Sequence, residues 1–157
     1  ILIMGALLLF LLGIYERLGT GQTPAPDRKE FWFARAPFSL YLGWITVATI
    51  ANASSVLFTS RWNGFGIGYT GWTFVMLAVA VVLGIVVAWL TRDRIYIGVL
   101  LWAFIGIAMK QAEVEPAVAT AAWIAAAVTA VALVVAPMLP KPPAANRDLT
   151  AGQLQGA

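Results

Sequence analysis

The chain has 157 residues, of which 61% are hydrophobic and 11% charged, with a formal net charge of +3. Those proportions lie outside the range of soluble globular domains, and several uncharged runs approach or exceed the roughly 18 residues that mark a bilayer crossing. The absence of cysteine and histidine excludes disulfides, thiolate chemistry and imidazole ligation of haem, zinc or copper within these residues, and no basic cluster points to nucleic acid.

The first element is the apolar run ILIMGALLLFLLGIY, residues 1–15, which begins with neither an initiator Met nor the basic start of a signal peptide. It reads as the remainder of a longer protein and as a first, short span. Glu16 and Arg17 close it. The stretch 19–29, GTGQTPAPDRK, has no apolar period and is expected to be an exposed loop. In EFWFARA, residues 30–36, three aromatic rings beside Glu30 and Arg35 suit the headgroup level of a membrane.

Residues 36–60, APFSLYLGWITVATIANASSVLFTS, run for 25 positions without a charge, and the other spans are best read as neighbours of this one. At about 1.5 Å of rise per residue such a helix crosses the ~30 Å hydrocarbon core. Pro37 is expected in its first turn. Lipid offers no partner to Ser39, Tyr41, Trp44, Thr46, Thr49, Asn52, Ser54 or Ser55, so most of them are expected to face other helices or a cavity.

A second loop, RWNGFGIGYTG at 61–71, carries an Asn-Gly turn signal. Residues 72–90 form an uncharged third span. The tight turn at 91–94 then makes the fourth span, 95–110, its antiparallel neighbour. A short acidic connection leads to Pro116, which opens a fifth span, 116–138. The fold class is therefore all-α, a polytopic membrane helical bundle of about five transmembrane helices in one domain, 1–140. The polar tail 141–157 is expected to be disordered. With five spans, Arg17, Arg28, Lys29, Arg35, Arg92, Arg94, Lys141 and Arg147 share one side, and only Arg61 and Lys110 lie on the other. That imbalance puts the tail in the cytoplasm.

Helical spacing sorts the second span into two sides. Ser39, Gly43, Thr46 and Ala53 form a small-residue surface that lets another backbone approach, while Tyr41, Trp44, Ala48, Asn52 and Ser55 lie opposite. Both sides fit helix-packing seams. The alternative is a cleft in which Tyr41 and Trp44 stack on a flat molecule and Asn52 orients a polar group.

Trp32, Trp62, Trp72 and Trp89 suit the interfacial belt. Trp44, Trp102 and Trp123 lie deeper and either pack the core or wall an aromatic pocket. In the fourth span Gly98, Trp102 and Gly106 recur at i, i+4 and i+8, so a large ring sits between two backbone gaps that a helix or a flat ligand could fill. The fifth span offers Ala119, Ala122, Ala126 and Ala130 for tight packing. Lys110, Glu113 and Glu115 at a span end read as structural. No acid or base lies in the middle of a span, which counts against ion-coupled carriers. With no histidine to activate a hydroxyl and no paired carboxylates, an enzyme is not expected. The segment GFGIGYTG lacks the Lys-Ser/Thr ending of a phosphate loop.

The stretches PFSLYLGWITVATIANASSVL, RWNGFGI and LLWAFIGIAMKQ, within residues 33–111, resemble bacterial tryptophan-rich sensory proteins allied to the TspO/MBR translocator-protein family. The resemblance implies a compact membrane bundle in the bacterial inner membrane, often dimeric, that binds tetrapyrroles or other flat hydrophobic ligands for signalling or transport. The site residues taken from the sequence itself are Tyr41, Trp44, Asn52, Trp102 and Trp123. Two further readings stand beside this one. One is a small accessory subunit docked on a larger respiratory, photosynthetic or transport complex, and the other is part of a carrier whose coupling residues lie upstream.

Overall fold

The computed structural model describes residues 2–17, 27–59 and 64–138. The expectations for most of the first linker, for Trp62 and for the tail 141–157 lie outside the described residues. Five helices follow one another: α1 (Leu2–Arg17), α2 (Ala36–Thr59), α3 (Tyr69–Thr91), α4 (Arg94–Gln111) and α5 (Pro116–Val135). No strand occurs among the described residues. The protein is an all-α membrane bundle, as the uncharged runs require. By length and apolarity α3, α4 and the segment Pro116–Met138 are fit to cross a membrane. Helix α2 has the length, at 24 residues, and carries no charge. Helix α1 has 16 residues.

Pro37 does not open α2. A helical turn, Arg28–Glu30, and a π-helical turn, Phe31–Arg35, run straight into Ala36, whose N–H donates to the Phe31 carbonyl. A proline inside a helix has no N–H to donate and crowds the carbonyl four residues back, here that of Phe33. The wide turn just before Pro37 relieves that crowding, so the helix continues through it. Arg35 is buried and paired with Glu30 at 3.0 Å, which fixes this entry segment. Trp32 and Phe33 stay exposed.

Helix α4 is the hub. It packs most extensively on α5, then on α2, while α3 packs more on α5 than on α4, and α1 lies along α2. The turn at 91–94 does make α3 and α4 sequential neighbours, but α4 packs more on α5 and on α2 than on α3. The reason is side-chain size. Ala119, Ala122, Ala125 and Ala126 give α5 a buried face without bulk, so α4 comes close and brings Ile97, Leu100 and Phe104 into the core. Gly43 plays the same part on α2. A Cβ there would lie 3.0 Å from Val99 Cβ and 3.3 Å from the Tyr96 carbonyl oxygen, so only glycine lets α2 and α4 meet this closely.

The turn between α3 and α4 is built from polar groups. Arg92 takes a left-handed conformation (φ 55°), and its N–H donates to the Ala88 carbonyl at 3.0 Å, ending α3. Buried Asp93 accepts from the Ile95 and Tyr96 N–H groups at 2.9 and 3.2 Å, starting α4. The Tyr15 hydroxyl donates to the same carboxylate at 2.8 Å. One acid thus caps a helix and ties the end of α1 to the α3–α4 turn, and those two points share one end of the bundle.

Most polar residues of α2 need no neighbour. Thr46, Thr49, Ser54, Ser55 and Thr59 each donate to the carbonyl four residues back, at 2.7 to 3.0 Å. Ser39 and Thr46 turn inward as expected, but Asn52 and Ser55 are exposed. A hydroxyl satisfied by its own helix carries little penalty in lipid. Thr120 and Thr129 bond back in the same way.

Candidate ligand groove

Helices α2 and α4 start at the same end and meet near their starts, with Gly43 against Tyr96 and Val99. Trp44 and Trp102 are each the ninth residue of their helix, counted from Ala36 and Arg94. Equal depth brings the two indoles together, with centroids 5.6 Å apart and planes inclined by 38°. That separation is direct contact, within the ~4.5–7 Å range of aromatic pairs. A flat molecule has no room between the rings, so stacking is available only on their outer faces.

Beside this pair a groove of about 460 Å³ runs between the two helices, lined by Leu40, Trp44, Ile95, Gly98, Val99 and Trp102. Its volume falls in the ~300–1,000 Å³ range of small-molecule sites. The lining side chains are apolar except for the two indole N–H groups. Gly98 provides the floor: a Cβ at that position would meet nothing within 4 Å. Leu40, Trp44 and Trp102 are 57%, 48% and 63% exposed, so the groove opens sideways, toward the lipid that surrounds a membrane bundle.

The structure unites two of the five residues singled out from sequence. Trp44 and Trp102 form the wall. Tyr41 is exposed one position after Leu40 and does not line the groove. Asn52 follows Trp44 by eight residues, which turns it about 80° further around α2 at 3.6 residues per turn. Its amide donates to Met4 Sδ at 3.0 Å and to the Ala48 carbonyl at 2.9 Å, toward α1. Trp123 is 51% exposed on α5 and lies outside the groove lining.

Leu40, Ile95 and Val99 are lining residues that sequence reasoning missed. Their signal was present in the spacing, since Leu40 and Trp44 are i, i+4 on α2, and Ile95, Val99 and Trp102 follow at steps of four and three on α4. Gly98 was recognised as a gap next to Trp102, and that gap remains unfilled by protein. Gly106 is also open. Among the described residues, no cluster of three acidic, His or Cys side chains is placed to hold a metal.

A family model described as TSPO-like protein matches residues 1–135. No curated protein and no solved structure matches the chain.

Proposed function

The chain belongs to the TSPO-like family, and from that premise we propose that it binds a flat hydrophobic ligand of tetrapyrrole type in the Trp44–Trp102 groove, in the service of sensing or transport. The observation that carries this reading is a glycine-floored, largely apolar groove of about 460 Å³ beside a paired set of indoles. Aromatic faces of that kind hold a flat apolar body by dispersion and area burial. Binding without turnover is the proposed activity, because no side chain of the groove is nucleophilic or titratable. The excess of basic residues on one side supports a bacterial inner-membrane placement with the C-terminus in the cytoplasm.

The test is a titration of the purified protein with a porphyrin, followed by quenching of Trp fluorescence. Saturable binding is expected, with strong loss in Trp44→Leu and Trp102→Leu and retention in Trp123→Leu. Absence of saturation, or binding unchanged in both groove variants, ends the proposal.

A second reading, an accessory subunit, is favoured by one feature: the large apolar side chains that α5 leaves exposed, among them Trp123, Ile124, Val131 and Val134. Purification in mild detergent separates the two. Stoichiometric co-migration with a large complex supports the subunit, and a stable monomer or dimer supports the receptor.

A further inference from the structure

The groove offers a ligand little to orient it, because its lining side chains are apolar except for the indole N–H groups of Trp44 and Trp102. The nearest charge on its helix is Arg94. Arg94, Gly98 and Trp102 are spaced i, i+4, i+8, so they succeed one another along a single face of α4. Arg94 is the first residue of that helix and is exposed. The acid beside it in sequence is engaged elsewhere, since Asp93 is buried and accepts from Tyr15, Ile95 and Tyr96. Those bonds also occupy the first N–H groups of α4, so the helix end itself offers an anion little.

We propose that Arg94 makes this groove selective for flat apolar acids: the ring system lies over Gly98 against Trp102, and a carboxylate on its edge meets the Arg94 guanidinium. The inference rests on the groove being a ligand site. Depth favours it. Trp102 is eight residues into α4, about 12 Å from Arg94 along the axis at ~1.5 Å per residue. The ring is therefore placed among lipid chains while the acid stays at headgroup level and keeps its charge. A planar guanidinium also suits a carboxylate better than a point charge does, because it donates two parallel N–H groups. An amphipathic acid dissolved in the same leaflet would reach the site sideways in this orientation, since the groove opens laterally.

The experiment compares pyrenebutyric acid with its methyl ester, two probes of equal ring, one anionic and one neutral. Quenching of Trp fluorescence is followed for the whole chain in a neutral detergent. The wild type is expected to bind the acid roughly twofold to fivefold tighter than the ester, the range set by one exposed charge-assisted contact. Arg94→Gln is expected to bind both probes as the wild type binds the ester, with an unchanged unfolding midpoint. Arg17→Gln, at the end of α1, is expected to keep the preference. A wild type without preference, an Arg94→Gln variant that retains it, or an equal loss in Arg17→Gln overturns the assignment, the last by showing diffuse surface charge. Failure of the groove reading looks different: neither probe saturates, or ester binding survives Gly98→Leu, and the role of Arg94 falls with it.

Discussion

Helix α4 has two faces with opposite histories of burial. Its inner face, Tyr96, Ile97, Leu100, Phe104 and Ala108, is at most 3% exposed and meets α2, α3 and α5. Its outer face, Arg94, Gly98, Trp102, Gly106 and Met109, meets almost nothing of the protein, and Trp102 touches it mainly through Trp44. Both faces are apolar over most of their length, so hydrophobicity alone cannot say which one holds the bundle together. Packing does, because in lipid the close approach of backbones decides association. The inner face carries the fold, and the outer face is where the ligand is proposed to bind. Substitutions that respect or violate this division have effects of very different size.

The largest effect is expected at the root of the inner face. Asp93→Ala removes the cap of α4 and leaves the buried Tyr15 hydroxyl without its acceptor. A lost cap of ~1 kcal/mol and an unsatisfied buried donor of ~1–3 kcal/mol together give a destabilisation of about 2–4 kcal/mol. Unfolding titrations in SDS-containing mixed micelles measure it. Arg94→Gln, one residue further and on the outer face, is expected to stay within about 0.5 kcal/mol of the wild type, the usual range for surface substitutions. Equal effects at the two positions break the comparison.

Next comes Gly43→Ala, on the partner of the inner face. The new Cβ arrives 3.0 Å from Val99 Cβ and 3.3 Å from a backbone carbonyl. The Val99 Cβ is fixed by its backbone and the carbonyl cannot yield, so α2 has to move off α4. Overpacking of this kind costs about 1–3 kcal/mol. The same shift separates Trp44 from Trp102, and their contact is expected to report it as altered Trp emission.

These positions show how far the sequence could be read. The spans are legible because an uncharged run of sufficient length has few fates, and Gly43 is legible because small residues recur at helical steps beside it. Which helices meet is not. Adjacent spans with a tight turn suggest α3 against α4, yet the alanine face of α5 draws α4 closer, and only side-chain volume in three dimensions decides that. The pairing of Trp44 with Trp102 depends on α2 and α4 starting at one end and meeting there, so neither indole announces the other. Tyr15 and Asp93 are 78 positions apart, beyond any local pattern. Asn52 looked inward on paper because lipid offers no partner, but the Ala48 carbonyl of its own helix does. The helical turns before Pro37 were hidden by a rule that holds for α-helical registers and fails once a π turn precedes the ring.

On the outer face the effects shrink. Trp102→Leu keeps an apolar side chain in a 63% exposed position and forfeits the indole pair, which is worth about 0.5–1.5 kcal/mol beyond area burial. Stability is expected to fall by no more than that, while porphyrin quenching is lost. A large drop in stability with binding intact would place Trp102 in the structural core and remove the division between the faces.

The smallest effect has the opposite sign and tests the division most directly. Gly98→Ala makes the same chemical change as Gly43→Ala, one methyl group on a helical glycine, but here the new Cβ meets nothing within 4 Å. Without a clash, what remains is the backbone term: glycine inside a helix is less favourable than alanine by ~0.5–1 kcal/mol. Gly98→Ala is therefore expected to raise stability slightly in the same SDS titration in which Gly43→Ala lowers it. Its methyl group also rises from the groove floor, so a flat ligand is held further from α4 and porphyrin affinity is expected to drop, while Gly98→Leu closes the groove. Stability and binding thus move in opposite directions at Gly98. A Gly98→Ala variant as destabilised as Gly43→Ala would mean that a helix or a second protein already lies on that face, and the space assigned to a ligand would belong to it instead.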